Sequence, residues 1–129
     1  NTADPSPRLN LGVMDVIELN GGRFYLRPLH DDDRIDDRPA LSTIKADPDE
    51  FIRTARDSDH LYCWAICEQT SVEMIALGIY DHNTAEISVL GIGDLTRILP
   101  NDPVLPQKTV ADAVAAGREV ISRWVTAAL

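Results

Sequence analysis

The sequence predicts an α+β domain in which an antiparallel sheet of about five strands is packed by two main helices. Residues 61–92 hold three β-prone runs joined by two short polar turns, and strands this close in sequence pair as an antiparallel meander. Asn20 and Gly21 stand between two further β-prone runs, which is a strong signal for a hairpin. Residues 109–128 have the capped, amphipathic pattern of a helix. The sheet is therefore expected to consist of an N-terminal hairpin and the three-stranded meander.

The composition is that of one folded domain. The chain has 129 residues, of which 44% are hydrophobic and 26% are charged, and this is enough to bury a single core. We predict a flexible, proline-bearing segment at residues 1–12 and a single domain at residues 13–129. No apolar run approaches the roughly 20 residues of a membrane helix, and the N-terminus lacks the pattern of a signal peptide. These features predict a soluble, cytoplasmic protein that does not bind a membrane.

The net charge of −9 is unevenly spread along the chain. Residues 30–60 carry ten acidic side chains against five basic ones, whereas residues 1–29 and 109–129 are each neutral. Nucleic-acid binding depends on clustered Lys and Arg that neutralise phosphates, and this chain has no such cluster. The charge pattern therefore predicts no nucleic-acid partner and leaves a basic protein as a candidate partner.

The first two strands are predicted to form a hairpin. They occupy residues 13–19 and 23–29, and the turn lies at residues 20–22, where Asn and Gly tolerate a positive φ. Pro28 has no N–H group to donate to a neighbouring strand, so we expect it at a strand end or on an edge.

The connection between the hairpin and the meander is predicted to hold a charged segment and one helix. Residues 30–39 are too charged for a core element and indicate a loop or the solvated start of a helix, and residues 40–45 extend a short helix or continue the loop. Residues 47–56 have the signals of a helix, because Asp47 is a good N-cap and Pro48 suits the first helical position.

The strands of the meander are predicted at residues 61–67, 72–80 and 85–92. The first of them is apolar on both faces, as is typical of a central strand that is covered on both sides. Gly78 in the second strand indicates a bulge or the close approach of another element.

The C-terminal part of the chain is predicted to be a long loop followed by a helix. Residues 93–108 contain three prolines, which exclude a long helix there, although a single helical turn would fit. Thr109 and Asp112 have the spacing of a capping box at the start of the helix at residues 109–128. Gly117 lies inside this helix, where we expect it to let the helix lie close to the sheet.

Two cysteines occur four positions apart, Cys63 and Cys67. On a strand their Cα atoms would be about 13 Å apart, which is too far for a disulfide or for one shared metal ion. We therefore predict two small buried core residues in a reducing compartment, with a catalytic or metal-binding pair as the alternative.

The charged segment at residues 30–38, called the acid loop from here on, is the first candidate site. Its residues lack the alternation, the central Gly and the terminal Glu of an EF-hand, and two arginines interleave the acids. A solvated or partner-facing loop is the main interpretation, and a weak cation site is the alternative. The candidate partner-binding residues are Asp31, Asp32, Asp33, Asp36 and Asp37.

Motifs for covalent catalysis and for phosphate binding are absent from the sequence. There is no G-x-S-x-G, no Walker sequence and no G-x-G-x-x-G, and neither cysteine lies at a predicted helix start that would activate it. The start of the last helix, with Lys108 and Thr109, is a candidate anion site because a helix N-terminus presents free N–H groups.

Part of the chain resembles the acetyltransferases of the GNAT superfamily. Residues 23–29, with Asp31 and Asp32, resemble the "LRPL…DD" opening of that family. Residues 64–79 resemble its second and third strands, and residues 85–88 resemble the start of the fourth. The resemblance covers residues 23–92 in order and implies an acyl-CoA-dependent N-acyltransferase.

The sequence departs from that family where the family binds its cofactor. Family members follow the fourth strand with a [Q/R]-x-x-G-x-[G/A] loop whose N–H groups hold the pyrophosphate of acyl-CoA. Residues 93–112 contain no such sequence, and residues 107–112 have the Gln but not the glycine. No cofactor-binding or catalytic residue can therefore be assigned through the resemblance.

Together these features predict a non-catalytic domain, without a cofactor or a metal, that acts through contact with a protein partner or with a second copy of itself. The acid loop would supply a polar contact surface, and an unpaired sheet edge or the exposed side of the last helix would supply an apolar one. Two alternatives stay open. One is an acyl-CoA-dependent N-acyltransferase, and the other is a small-ligand-binding domain with a pocket between the sheet and the last helix.

Overall fold

The computed structural model describes residues 17–100 and 103–129. Within these ranges five strands and three helices follow one another in the order ββααβββα. The strands are β1 (Leu19–Gly21), β2 (Phe24–Pro28), β3 (Leu61–Glu68), β4 (Ala76–Asp81) and β5 (Glu86–Gly91). The helices are α1 (Arg38–Leu41), α2 (Pro48–Asp57) and α3 (Val110–Ala128).

The strands form one antiparallel sheet whose spatial order, β1-β2-β3-β4-β5, is the order of the chain. The α+β class, the hairpin, the meander and the two main helices are thereby confirmed. The predicted flexible segment at residues 1–12 and the first part of the predicted strand at residues 13–19 lie outside the described residues.

The hairpin turn begins two residues later than predicted and ends one residue later. β1 includes Asn20 and Gly21, and the two-residue loop consists of Gly22 and Arg23. Gly22 takes the positive φ of +81°, which suits the first position of a tight hairpin turn. Asn20 instead uses its side-chain oxygen to accept a hydrogen bond from the Gly22 N–H at 3.0 Å.

Two layers of helix cover the sheet, one on each face. β3 contributes to both faces, because Trp64 and Ile66 point toward α3 while Cys63 and Ala65 point toward α1 and α2. The prediction that β3 is a central strand covered on both sides is therefore confirmed. The α3 layer also holds an aromatic cluster of Tyr62, Trp64, Tyr80 and Trp124.

Three glycines let α3 lie against the sheet. A Cβ atom at Gly78 would be 2.7 Å from Cδ1 of Ile121, and one at Gly117 would overlap Cδ1 of Ile66. A Cβ at Gly91 would be 2.9 Å from Cγ1 of Val110. Gly78 pairs regularly with both neighbouring strands, so it marks a close approach of the helix and not a bulge.

The loop from β5 to α3 contains no helix among its described residues, although the Arg97 N–H donates to the Asp94 carbonyl at 3.1 Å and closes a single tight turn. It folds back instead, so that Ile98 forms a single β-bridge with Thr109 and the Leu99 N–H donates to the Lys108 carbonyl at 2.8 Å. This fold places α3 directly beside the end of β5.

Candidate functional site

The most deeply placed acid of the acid loop forms a buried ion pair with β2. Asp37 is 2% exposed, and its carboxylate accepts two hydrogen bonds of 2.8 Å from the Arg27 guanidinium. The His30 N–H donates to the same carboxylate at 2.7 Å, and Arg27 also donates to the Val72 carbonyl at 2.7 Å. Asp37 thus anchors the loop to the sheet, and a partner cannot reach it. This corrects the expectation that all five acids face a partner.

Two further acids of the loop are paired at the surface. Asp31 meets Arg56 of α2 at 3.0 Å, and Asp36 meets Arg38 at 2.8 Å. The hydrogen bonds from Arg38 lower the pKa of Asp36 below its ordinary value. Exposed ion pairs of this kind contribute little to stability. The carboxylates of Asp31 and Asp36 can therefore leave their arginines and bind a basic side chain of a partner.

The remaining two acids differ in what they do. Asp32 accepts hydrogen bonds of 2.9 Å from the N–H groups of Arg34 and Ile35, and these bonds lower its pKa. It therefore holds the turn of the loop. Asp33 is exposed and forms no hydrogen bond or ion pair among the described residues. No group of three or more His, Cys, Asp or Glu in the described ranges is arranged to hold a metal ion.

The start of α3 is capped by the chain itself. Thr109 and Asp112 form the predicted capping box, in which the Asp112 carboxylate accepts the Thr109 N–H at 2.8 Å. The N–H groups of Val110 and Ala111 donate to two carbonyl oxygens of the preceding loop, at 3.1 and 2.9 Å. An anion beside Lys108 and Thr109 would have to displace these bonds and approach the negative charge of Asp112.

Both cysteines are buried and unpaired. Burial raises the pKa of Cys63 to about 12 and that of Cys67 to about 11. A thiol with a raised pKa is a poor nucleophile, so the prediction of core residues is confirmed for both positions.

His60 is the histidine with the most side-chain partners, and its geometry does not match a hydrolase. Ser58 Oγ and Asp59 Oδ1 lie 3.3 and 3.0 Å from the same ring nitrogen, Nδ1 of His60. A nucleophile–base–acid relay needs one of these partners at each of the two ring nitrogens. Ser58 Oγ also accepts the N–H groups of His60 and Leu61, so its role here is to cap the start of β3.

Two shallow depressions lie beside α2, and they share Arg53 and Asp57. Their walls carry charged side chains of both signs. The ligand-binding interpretation predicted a pocket between the sheet and the last helix. At that interface α3 is in close contact with the sheet at Gly78 and Gly117, which leaves no space for a ligand at these two points.

The outer edge of β5 is one of the two open edges of the described sheet. β5 is a terminal strand in the sheet order, and among the described residues no strand pairs with its outer side. Leu90 on one face of the strand is 39% exposed, and Leu95 just beyond its end is 49% exposed. We call the edge of β5 together with Leu90 and Leu95 the β5 surface.

Exposed apolar side chains are frequent in the segment that includes the end of β5 and the loop after it. Five of the eight large hydrophobic residues that are exposed in the described ranges lie between positions 90 and 105. They are Leu90, Leu95, Ile98, Val104 and Leu105. The sequence predicted an unpaired edge as a contact surface but did not identify the strand, because which strand ends the sheet depends on the strand order.

Comparisons with protein-family models, with curated proteins and with solved structures find no match for this chain. The resemblance of residues 23–92 to the GNAT superfamily therefore stays a prediction. None of the helices in the described part of the chain has the length and apolar character needed to cross a membrane.

Proposed function

We propose that this chain is a contact domain that binds a protein through the β5 surface. The observation that supports the proposal most directly is a terminal strand without proline whose outer edge is unpaired and whose flanking leucines are exposed. Unpaired strand edges present N–H and C=O groups to any extended chain, and exposed apolar patches on folded proteins commonly mark interaction sites.

The acid loop is proposed as a second, polar part of the contact surface. Asp33 is free among the described residues, and Asp31 and Asp36 are held only in exposed ion pairs. Exposed charges act mainly on the rate and selectivity of association. The net charge of −9 therefore favours partners whose facing surface is basic.

An N-acyltransferase remains the alternative that the sequence resemblance raises. It would need N–H groups at the start of α3 to hold a pyrophosphate. The groups of Val110 and Ala111 are already bonded within the chain, and no described arrangement favours this alternative over the contact domain. Saturable stabilisation of the chain by acetyl-CoA in a thermal-shift titration would revive it.

Site-specific photocrosslinking in cells that express the chain tests the contact function. We would place benzoylphenylalanine at Leu90, at Asp33 and, as a control, at Leu129, which is 49% exposed but lies at the end of α3. We expect one discrete protein adduct from position 90, a weaker one from position 33, and none from position 129. Equal labelling at all three positions, or no adduct at position 90, would contradict the proposal.

A further inference from the structure

The two faces of the sheet are covered to different extents. On one face α3 lies against both β4 and β5. On the other face, α2 lies against β3, whereas the main contacts of β5 are with β4 and with α3. Among the described elements, the helices of this second face therefore cover β3 but leave β5 without a helix above it.

Burial along the cross-strand rows of this second face shows where the cover ends. In one row, Ala65 of β3 lies opposite Leu77 of β4, which lies opposite Leu90 of β5. The first two side chains are fully buried, whereas Leu90 is 39% exposed. The next row shows the same decrease in burial, from Cys63 of β3 to Ser88 of β5. The core beneath α1 and α2 thus continues onto a part of the sheet that no helix covers.

We call this uncovered part of the sheet the open face. Ile79 and Ile92 belong to it, because both are partly buried and pack against the core beneath α1 and α2. Ser88 and Leu90 belong to it because side chains alternate along a strand and Val89 points toward α3. Neighbouring strands are about 4.8 Å apart, so β4 and β5 together offer a width of about 10 Å, which is close to the diameter of one α-helix.

Two acidic side chains lie opposite each other at one end of the open face. Asp81 of β4 and Glu86 of β5 are cross-strand partners, and the same alternation places both on the open face. Like charges directly opposite each other destabilise a sheet. In the part of the chain that the structure describes, neither carboxylate is in an ion pair. A cation from a partner would therefore relieve a repulsion that the chain itself leaves in place.

The larger depression beside α2 adjoins the same end of the open face. It is lined by Leu61 of β3, which is the cross-strand partner of Asp81. Its titratable side chains are Arg53, Asp57, Asp59 and His60. With Asp81 and Glu86 added, this end has four carboxylates against one arginine and one histidine. The charge here is net negative beside an apolar surface.

We propose that the open face binds an amphipathic α-helix of a partner protein, whose apolar stripe packs on Ile79, Leu90 and Ile92 and whose Lys or Arg side chains lie beside Asp81 and Glu86. This inference rests on the proposed contact function and names the chemistry of the partner. One helix fills the width of the two uncovered strands, as α3 does on the other face. An acidic or neutral helix would leave the repulsion between the two carboxylates in place.

Fluorescence anisotropy with two labelled peptides of leucine and lysine tests the proposal on the full chain. Both peptides have about 14 residues, which as a helix span the roughly 20 Å of a six-residue strand, and both have the same composition and charge. In the first, leucine recurs at the spacing of a helix, and in the second, leucine and lysine alternate as in a strand. We expect the chain to bind the helical peptide at least roughly 10-fold more tightly than the alternating one.

Four variants with exposed substitution sites show whether the peptide lies on the open face. Leu90→Asn removes an apolar contact from it, and Leu129→Asn at the end of α3 is the matched control. Glu86→Gln removes one of the two opposed acids, and Glu119→Gln removes an exposed acid from α3. We expect Leu90→Asn to weaken binding of the helical peptide at least roughly 10-fold and Glu86→Gln to weaken it several-fold, while both controls stay within about 2-fold of wild type.

The outcomes separate this inference from the contact function. The inference is overturned if the helical peptide does not bind, if the alternating peptide binds as tightly, or if Leu90→Asn has no larger effect than Leu129→Asn. The contact function is then judged separately, by the adduct that benzoylphenylalanine forms at position 90. A preference for the helical peptide that is lost in Leu90→Asn and reduced in Glu86→Gln supports the inference.

Discussion

Arg27 carries its charge at a position of β2 that points into the layer beneath α1 and α2, where it is 4% exposed. A buried guanidinium is tolerated only when it is paired and hydrogen-bonded, and Asp37 and two backbone carbonyls supply those partners. The many charged residues of the acid loop indicate a solvated segment. For this reason the burial of Asp37 could not be predicted from the composition of the loop. The one hint in the sequence is Arg27 itself, because a charged residue on an interior strand needs an opposite charge nearby.

We predict that Asp37→Asn destabilises the folded chain by about 3 to 5 kcal/mol, because it leaves a buried guanidinium without its counter-charge. Asp36→Asn is the control, since it removes a neighbouring acid from an exposed pair and should lower the urea midpoint far less than Asp37→Asn does. Urea denaturation of the two variants measures both values. Similar midpoints for the two variants would contradict the structural role assigned to Asp37.

The two cysteine thiols should make the fold sensitive to alkali. Cys63 and Cys67 have raised pKa values of about 12 and about 11 in the folded chain, against 9.0 for an ordinary thiol. Above pH 9 and below the raised pKa values, the thiols of the unfolded chain lose protons that the thiols of the folded chain keep. The free energy of unfolding therefore has its full value below pH 9 and decreases as the pH rises. We expect the urea midpoint to fall above pH 9 and to fall less in a Cys63→Ala, Cys67→Ala double variant. An equal slope in both proteins would contradict this.

At the scale of the elements, the close packing of α3 on the sheet depends on glycines, which have no side chain. Gly117 faces Ile66, which is fully buried, so a methyl group at position 117 forces the Cδ1 end of the Ile66 side chain to move. Overpacking of a core commonly costs 1 to 3 kcal/mol, whereas Ala in place of Gly favours a helix by only about 1 kcal/mol. Packing is therefore expected to outweigh helix propensity at this position.

A double-mutant cycle checks this expectation. Gly117→Ala alone should destabilise the chain by about 1 kcal/mol. In the background of Ile66→Val, which lacks the Cδ1 atom that the new methyl group meets, the same substitution should be neutral or stabilising. The free energies of unfolding of the four proteins give the coupling. An additive cycle would show that the helix does not depend on the space at Gly117.

The elements that could be predicted from the sequence are those whose signals are local. The continuous apolar run of β3 and the capping box of α3 depend on neighbouring residues and were predicted with nearly correct ends. The hairpin turn was placed too early because Asn20 uses its side chain, and not a positive φ, at that point. The second strand of the meander starts at Ala76 and not at residue 72, and no local signal marks that start.

The candidate site belongs to the scale of the whole molecule, and this is why it could be predicted only in part. An unpaired edge was expected, but the terminal position of β5 follows from the pairing of all five strands. In the same way, the acid loop could be identified from its composition. The burial of Asp37 could not, because it depends on an ion pair with Arg27, ten residues earlier in the chain.

The order of the strands also bears on how the chain folds. Because each strand pairs with its neighbour in sequence, most of the sheet consists of contacts between nearby residues, a topology associated with rapid folding. Strands can be added one after another as the chain leaves the ribosome. α3 follows all five strands in the chain, so until it is made, the aromatic face around Trp64 stays open to water and to chaperones. The nascent sheet is then at its most aggregation-prone in the interval between the synthesis of β5 and the docking of α3.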